Sequence, residues 1–260
     1  MKLVDVYCFC VNEKKSKGGI MELIICKNYE EVSQKASEIL IEQLIRKPNS
    51  ILGLATGSTP VGLYNKLIEA YKRGQVSFKN VITFNLDEYL ELDRRHPESY
   101  FSFMHKNLFN HIDINEDNIH LPSNNIKTLE GDIKTYNDLL KLHQVDVQVL
   151  GIGSNGHIGF NEPGSPFENE TFATKLTEQT RNDNLRFFNH IDEVPRSAVT
   201  MGIGTIMRSK KIVLIATGLN KADAIFKMLK GPITTALPAS ALRNHPNLAV
   251  IVDELAAKNL

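Results

Sequence analysis

The chain has 260 residues, 30 Lys+Arg against 30 Asp+Glu and 42% apolar residues, so its formal net charge is zero. At roughly 150 residues per domain this length allows one or two domains with a substantial core. Balanced charge argues against a dedicated nucleic-acid or anionic-membrane binder, which carries a basic excess, although it leaves local basic spots open.

Residues 1–20 match nothing downstream and read as a leader or a disordered tail. Asp5 interrupts their apolar stretch and no small-residue cleavage pattern follows, which argues against a signal peptide. No segment offers the ~18 consecutive apolar residues of a membrane span. The three cysteines, Cys8, Cys10 and Cys26, give neither a disulfide framework nor a zinc cluster, so a reducing cytoplasm is the expected setting.

From Met21 the sequence reads as a short strand followed by an amphipathic helix over 30–45. Apolar runs at 51–55, 81–84, 146–150, 198–201, 211–216 and 248–252 predict further strands. Several are near-continuously apolar, as in strands buried on both faces of a parallel sheet. Helical periodicity predicts helices over 60–73, 98–110, 129–142 and 221–230. Strand–helix alternation means βαβ units, hence one α/β domain over 21–260 with a doubly wound, mostly parallel sheet and helices on both faces. One stretch, 161–180, shows neither period, which is typical of a lid or binding loop.

Ligands of an open parallel sheet bind outside the carboxyl ends of its strands. Polar, glycine-rich and titratable residues gather there. The first such loop, Thr56-Gly57-Ser58-Thr59-Pro60, joins a strand to a helix. Ser58 or Thr59 suits the helix cap and Pro60 its first turn. Free N–H groups and the helix dipole there attract phosphate, although the loop is not a Walker motif. The plainer alternative is a well-capped turn.

The loop after 146–150 contains Gly151, Gly153 and Gly156 in a G-x-G-x-x-G spacing. The dinucleotide fingerprint needs a helix directly after it, and none is predicted, so no NAD site is expected. The same loop places His157 before Glu162 and after Asn155. A carboxylate beside imidazole favours the imidazolium and fixes its tautomer, which suits proton transfer near neutral pH. A structural histidine is the alternative. The spacing fits no metal triad, so no metal is expected.

Asp87, at the end of the 81–84 strand, is placed to act as a base toward a carbon acid if the pocket raises its proton affinity. Alternatively, Asp87 and Glu88 form an N-cap pair. Arg186, between Leu185 and Phe187, is expected to have its backbone in the interior with its fork of donors turned to a phosphate or carboxylate. Lys221 stands near a helix start, an unfavourable place for a cation unless an anion is there.

Four blocks together carry a specific resemblance. Phe84-Asn85-Leu86-Asp87-Glu88-Tyr89, His96-Pro97-Glu98-Ser99-Tyr100, the run from Gly153 through His157 and Glu162 to Pro163, and Arg186-Phe187-Phe188 resemble the glucosamine-6-phosphate deaminase family from about Met21 onward. The resemblance implies a Rossmann-like fold and conversion of glucosamine 6-phosphate with water to fructose 6-phosphate and ammonia, with no cofactor. It implies Asp87 as the base that moves the C2 proton toward C1. It also implies His157 as the group that opens the pyranose ring, with Glu162 orienting it. Gly57, Ser58, Thr59, Arg186 and Lys221 would hold the phosphate, and 161–180 would be the lid.

Two departures matter. Family members often carry aspartate where this chain has Asn155, so His157 is expected to be less strongly cationic. The allosteric branch uses basic lid residues to bind N-acetylglucosamine 6-phosphate, whereas here Thr171-Phe172-Ala173-Thr174 has only Lys175 beside it. A monomer or small homo-oligomer is therefore expected rather than an allosteric hexamer. The rival readings are a 6-phosphogluconolactonase, which shares the fold and a Gly-His loop, and a sugar-phosphate-sensing domain. The latter lacks any DNA-reading module here, because residues 1–20 are too short for a helix-turn-helix.

Overall fold

Alternate residues of the strand Lys211–Ala216 enter different cores: Ile212 and Leu214 belong to one, Val213 and Ile215 to the other. Side chains alternate across a strand, so a run that is apolar throughout marks a strand covered on both faces. That single strand defines the layering of the molecule.

The structure, a computed structural model, describes residues 9–10, 14–16 and 19–260. The elements begin with β1 (Phe9–Cys10), β2 (Lys14–Ser16), β3 (Gly19–Cys26), α1 (Tyr29–Arg46), β4 (Ile51–Leu54), α2 (Val61–Lys72) and β5 (Ile82–Asn85). Next come β6 (Asp87–Tyr89), α3 (Tyr100–Asn107), β7 (Ile119–His120), α4 (Leu129–Leu142) and β8 (Val147–Leu150). The remainder holds β9 (Phe172–Lys175), α5 (Glu178–Asn184), β10 (Ser197–Thr200), α6 (Ile203–Ile206), β11 (Lys211–Ala216), α7 (Ala222–Lys230) and β12 (Asn247–Asp253).

The main sheet has nine strands in the order β1-β3-β12-β11-β8-β4-β5-β7, with β2 also on β3. Every pairing from β3 to β7 is parallel. On one face, Leu40 and Leu44 of α1, Leu63, Tyr64 and Leu67 of α2 and Met104 of α3 share a core with Val149 and Val213. On the other, Tyr136 and Leu140 of α4, Ile203 of α6 and Ile225 and Met228 of α7 share a core with Leu150 and Leu214. This is the doubly wound α/β fold read from the alternating pattern. Replacing Leu67, which is fully buried, by Ala would cost about 2–5 kcal/mol through lost transfer energy and the cavity left behind.

Local chemistry explains the helix limits. Asn28 caps α1 by accepting from Glu31 N–H at 3.0 Å, with Glu30 and Glu31 in the first turn and Arg46 in the last, complementing the helix dipole at both ends. Asp146, buried at the amino end of β8, accepts from the ammonium groups of Lys47 at 2.6 Å and Lys210 at 2.9 Å and from Ile51 N–H at 2.8 Å.

Three expectations are corrected here. The apolar run 198–201 is a strand, but it joins a separate three-stranded antiparallel sheet, β6-β10-β9, with Thr200 opposite Asp87. The reason lies at Leu86, whose N–H still bonds Leu54 in the parallel sheet while its carbonyl accepts from Met201. Segment 161–180 is only partly irregular, since it contains β9 and the start of α5. Neither Ser58 nor Thr59 caps α2: Pro60 occupies the cap position and no side chain bonds there. The leader expected over residues 1–20 falls largely outside the described residues, and its described pieces, β1 and β2, run antiparallel to β3.

Candidate active site

The loops after β4, β5, β8 and β11 meet in one cleft of about 160 Å³ at the carboxyl ends of the parallel strands. Gly57, Ser58, Thr59, Asp87, His157, Arg186 and Lys221 all line it. Asn155 and Glu162 do not reach the cleft. They stand behind His157.

The first loop turns at Gly57, whose φ of 90° is a left-handed conformation that L side chains resist. Tyr29 of α1 braces this turn: its hydroxyl donates to Ser58 O at 3.1 Å and accepts from Gly62 N–H at 2.6 Å. Ser58 Oγ in turn accepts from the Arg186 guanidinium at 3.4 Å. Hydroxyl groups, backbone N–H groups at a helix start and a guanidinium make an anion-compatible corner.

Asp87 opens β6, immediately after the chain leaves the parallel sheet. It is 5% exposed. Burial, reinforced by the neighbouring negative charge of Glu88, pushes its carboxyl up to about 8. Burial raises the Glu88 carboxyl too, but this one is opposed by the backbone N–H groups of Tyr100, Phe101 and Tyr89, which bond it at 3.0, 2.9 and 2.8 Å. The two neighbours therefore divide the alternatives read from sequence: Glu88 binds the start of a helix, and Asp87 faces the cleft.

His157 sits on the loop after β8, which is closed by Gly156 N–H to Gly153 O at 3.0 Å and Gly153 N–H to His157 O at 2.9 Å. A Cβ on Gly153 would lie 2.5 Å from the imidazole, so only glycine leaves room for the ring. Asn155 Oδ1 accepts from His157 N–H at 3.1 Å, while its amide donates to Glu162 Oε2 at 3.0 Å. Glu162 Oε2 lies 3.5 Å from His157 Nδ1. Its other oxygen accepts from the hydroxyl groups of Thr180 and Thr177. Burial alone would raise the Glu162 carboxyl, but its bonds from His157, Thr180 and Asn155 hold it down at about 2. It is an anion at any ordinary pH, placed beside Nδ1 to orient the imidazole ring.

Lys221 is the N-cap residue of α7. Burial pulls its ammonium down, Asp183 raises it and Arg186 lowers it. Two cations and a buried acid lining one cleft fit a ligand with an anionic tail and an acidic C–H. Among the described residues, no group of three or more His, Cys, Asp or Glu side chains is gathered as metal ligands.

Residues 27–251 match the family described as glucosamine-6-phosphate isomerases/6-phosphogluconolactonase. The chain belongs to this family. It is 53% identical to a glucosamine-6-phosphate deaminase of Thermoanaerobacter pseudethanolicus over 91% of this chain and 94% of that protein. It is 51% identical to glucosamine-6-phosphate deaminase 2 of Bacillus subtilis over 92% and 98% of the two chains. A solved structure of a monomeric glucosamine-6-phosphate deaminase superposes with a TM-score of 0.89 at 44% identity, covering 92% of this chain and 99% of that one. A 6-phosphogluconolactonase from Trypanosoma brucei shares the fold alone, with a TM-score of 0.74 at 20% identity.

Within this family frame, the structure amends one residue and adds three. Arg186 is exposed, not interior, because it lies in a one-turn 3-10 segment, Leu185–Phe187, over the cleft mouth, with its guanidinium 4.7 Å from the Phe187 ring. Tyr100, Thr180 and Asp183 line the cleft without having been singled out. Tyr100 ends the block His96-Pro97-Glu98-Ser99-Tyr100, where helical periodicity carries no sign that this residue reaches the site. A larger cavity, about 460 Å³ beside Lys141 and Arg208, lies off the strand ends, and both cations there pair with Glu170.

Proposed function

We infer that this chain is a glucosamine-6-phosphate deaminase, converting glucosamine 6-phosphate and water to fructose 6-phosphate and ammonia. The observation that carries the reading is the pairing in one cleft of a buried, proton-avid Asp87 with the His157–Glu162 pair and the Arg186–Lys221 cations. The names of the relatives at about half identity support the substrate.

The phosphate binds at the Gly57, Ser58 and Thr59 loop, with Arg186 and Lys221 neutralising it. His157 transfers a proton to and from the ring oxygen and its hemiacetal hydroxyl, so the pyranose opens to an aldehyde; Glu162 holds the imidazole orientation and steadies its charged form. Asp87 then removes the proton at C2 and returns it at C1, moving unsaturation from C1 to C2. The resulting C2 imine takes up water, and the carbon–nitrogen bond breaks to release ammonia and leave the ketone. Asn155 supports Glu162 as a neutral donor, leaving one carboxylate on the imidazole.

The chain is read as acting on a small sugar phosphate in the cytoplasm, as a monomer or small homo-oligomer. Nothing in its charge suits nucleic acid, and no helix among the described residues is long and apolar enough to cross a membrane. The test is incubation of purified protein with glucosamine 6-phosphate and no added cofactor. Release of ammonia and fructose 6-phosphate is expected. No ammonia, alongside fast hydrolysis of 6-phosphogluconolactone, would replace this reading with the lactonase.

A further inference from the structure

Asp87 and Glu88 are consecutive buried carboxylates, and the reaction above uses only the first. The second is 2% exposed and binds three backbone N–H groups. Two of them belong to Tyr100 and Phe101, which open α3, while the Ser99 hydroxyl takes the next one, Ser102 N–H, at 3.1 Å. Glu88 thus ties the first turn of a helix to β6, across the intervening residues 90–99.

What this tie orients is Tyr100, the first residue of α3 and part of the cleft wall. Its ring lies 4.7 Å from Tyr89 and 6.1 Å from Phe160, nearly parallel to the latter at 11°. Phe160 lines the same cleft. The Tyr100 hydroxyl bonds to Thr56 of the first loop and to Tyr89. One wall of the cleft is therefore a stack of rings whose position depends on where α3 begins.

We propose that Glu88 is a positioning residue for the reaction: by gripping the start of α3, its carboxylate holds the Tyr100 ring as the wall that keeps water from Asp87. The inference rests on the deaminase reading. An aspartate is a strong base toward a C–H bond only in dry surroundings, because water stabilises its anion. The groups around Asp87 are Glu88 and Tyr89 from β6, Tyr100 from α3, Tyr136 from α4 and Thr200 from β10, and His157 lines the same cleft. Glu88 also binds Tyr89 N–H within β6, and of the groups from other elements Tyr100 is the one whose backbone it holds. Glu88 also contributes its charge, and the test separates charge from placement.

The experiment compares kcat, KM and the pH dependence of kcat/KM in the wild type, Glu88→Gln, Glu88→Asp, Tyr100→Leu and the Glu88→Gln/Tyr100→Leu double variant. Substrate titrations are common to all and cancel. Glu88→Gln should lower kcat about tenfold with KM within about twofold, since orientation at the reacting centre is lost while the phosphate grip stays. The acid limb of kcat/KM should move to lower pH in Glu88→Gln, in Tyr100→Leu and in Glu88→Asp. The last keeps the charge but shortens the reach, so its shift reads placement. The double variant should be no slower than the poorer single, because both act through one wall. An unmoved limb in Glu88→Asp or in Tyr100→Leu, or losses that multiply in the double variant, would overturn the proposal. If Glu88→Gln does not fold, Glu88→Asp and Tyr100→Leu decide together, and the proposal stands only if both limbs move. A wild type that releases no ammonia removes the deaminase reading and this inference with it; an active wild type with unmoved variants removes the inference only.

Discussion

The carboxylate of Glu162 lies 3.5 Å from Nδ1 of His157, and the same oxygen accepts from the Asn155 amide at 3.0 Å. With Thr180 and Thr177 on its other oxygen, this carboxylate joins the loop after β8 to α5, whose next turn lines the cleft.

Glu162→Gln should therefore lower kcat about 10- to 100-fold, the range in which loss of a supporting partner weakens general acid–base catalysis. Its stability effect is pH-dependent. A carboxyl held at about 2 in the folded chain and near ~4.3 when unfolded adds stability above the unfolded value, lost as pH falls toward 2. Thermal melts from pH 7 to 3 should show the wild type losing more stability than Glu162→Gln.

Asp87→Asn should reduce ammonia release at least about 100-fold and abolish solvent-deuterium incorporation at C1, while fructose 6-phosphate still binds by calorimetry. The same change should make the fold more stable at neutral pH. A carboxyl whose proton affinity rises to about 8 on folding must take up a proton to fold at pH 7, so it opposes folding above the unfolded value near ~3.9, and the amide removes that penalty. Melting should rise by roughly 2–4 °C for each kcal/mol recovered. In the wild type, kcat/KM should climb through about pH 8 as Asp87 loses its proton. Undiminished turnover in Asp87→Asn would remove Asp87 from the mechanism.

For the phosphate corner, Lys221→Ala should raise KM about 10- to 100-fold with a smaller change in kcat, as expected when binding common to ground and transition states is lost. Inorganic phosphate should inhibit the wild type competitively and this variant far more weakly. A Lys221→Ala enzyme with unchanged KM would place the phosphate elsewhere.

Gly153→Ala tests a steric statement. Its new Cβ would come 2.5 Å from the His157 ring, so the imidazole must swing away. Circular dichroism should report an intact fold while kcat falls about 10-fold or more, since a small misplacement of a catalytic group is costly.

At the amino ends of the strands, Asp146→Asn should cost about 1–3 kcal/mol. Lys47 and Lys210 lose a buried partner but, being themselves partly exposed, are rescued by water. Burial raises the Asp146 carboxyl, but its bonds from Lys210, Lys47 and Ile51 outweigh this and lower it. The contribution is thus present above the unfolded value near ~3.9 and fades as pH drops below it. Urea melts at pH 7 and pH 3 should show the variant's deficit shrinking at the lower pH.

The parts of the site that could be read from the chain were those that follow from local rules. Continuous apolar runs gave buried parallel strands, and the residues just past them gave the loops that hold Gly57, Asp87, His157 and Lys221 in one cleft. What escaped was decided by contacts distant in sequence. That the run at 198–201 leaves the main sheet depends on Leu86 bonding Met201. The separate surroundings of Asp87 and Glu88 depend on backbone donors twelve and thirteen residues away. The exposure of Arg186 reflects a short 3-10 turn that flanking aromatic residues do not announce.

The strand order has a consequence for how this molecule is made. β3 meets the rest of the parallel sheet only through β12, its partner over seven residues. During synthesis, β4, β5 and β8 can pair as they emerge, while β3, flanked early by β1 and β2, must wait for its parallel partner more than two hundred residues downstream. β12 also ends in Asp253, whose carboxylate receives Gly218 N–H at 3.0 Å and so shapes the loop that carries Lys221. A nascent chain paused before β12 would already contain Asp87 and His157, yet lack both the parallel partner of β3 and the Asp253 contact on the loop that carries Lys221. Docking of one late strand supplies both, so the Lys221 loop is settled together with closure of the sheet.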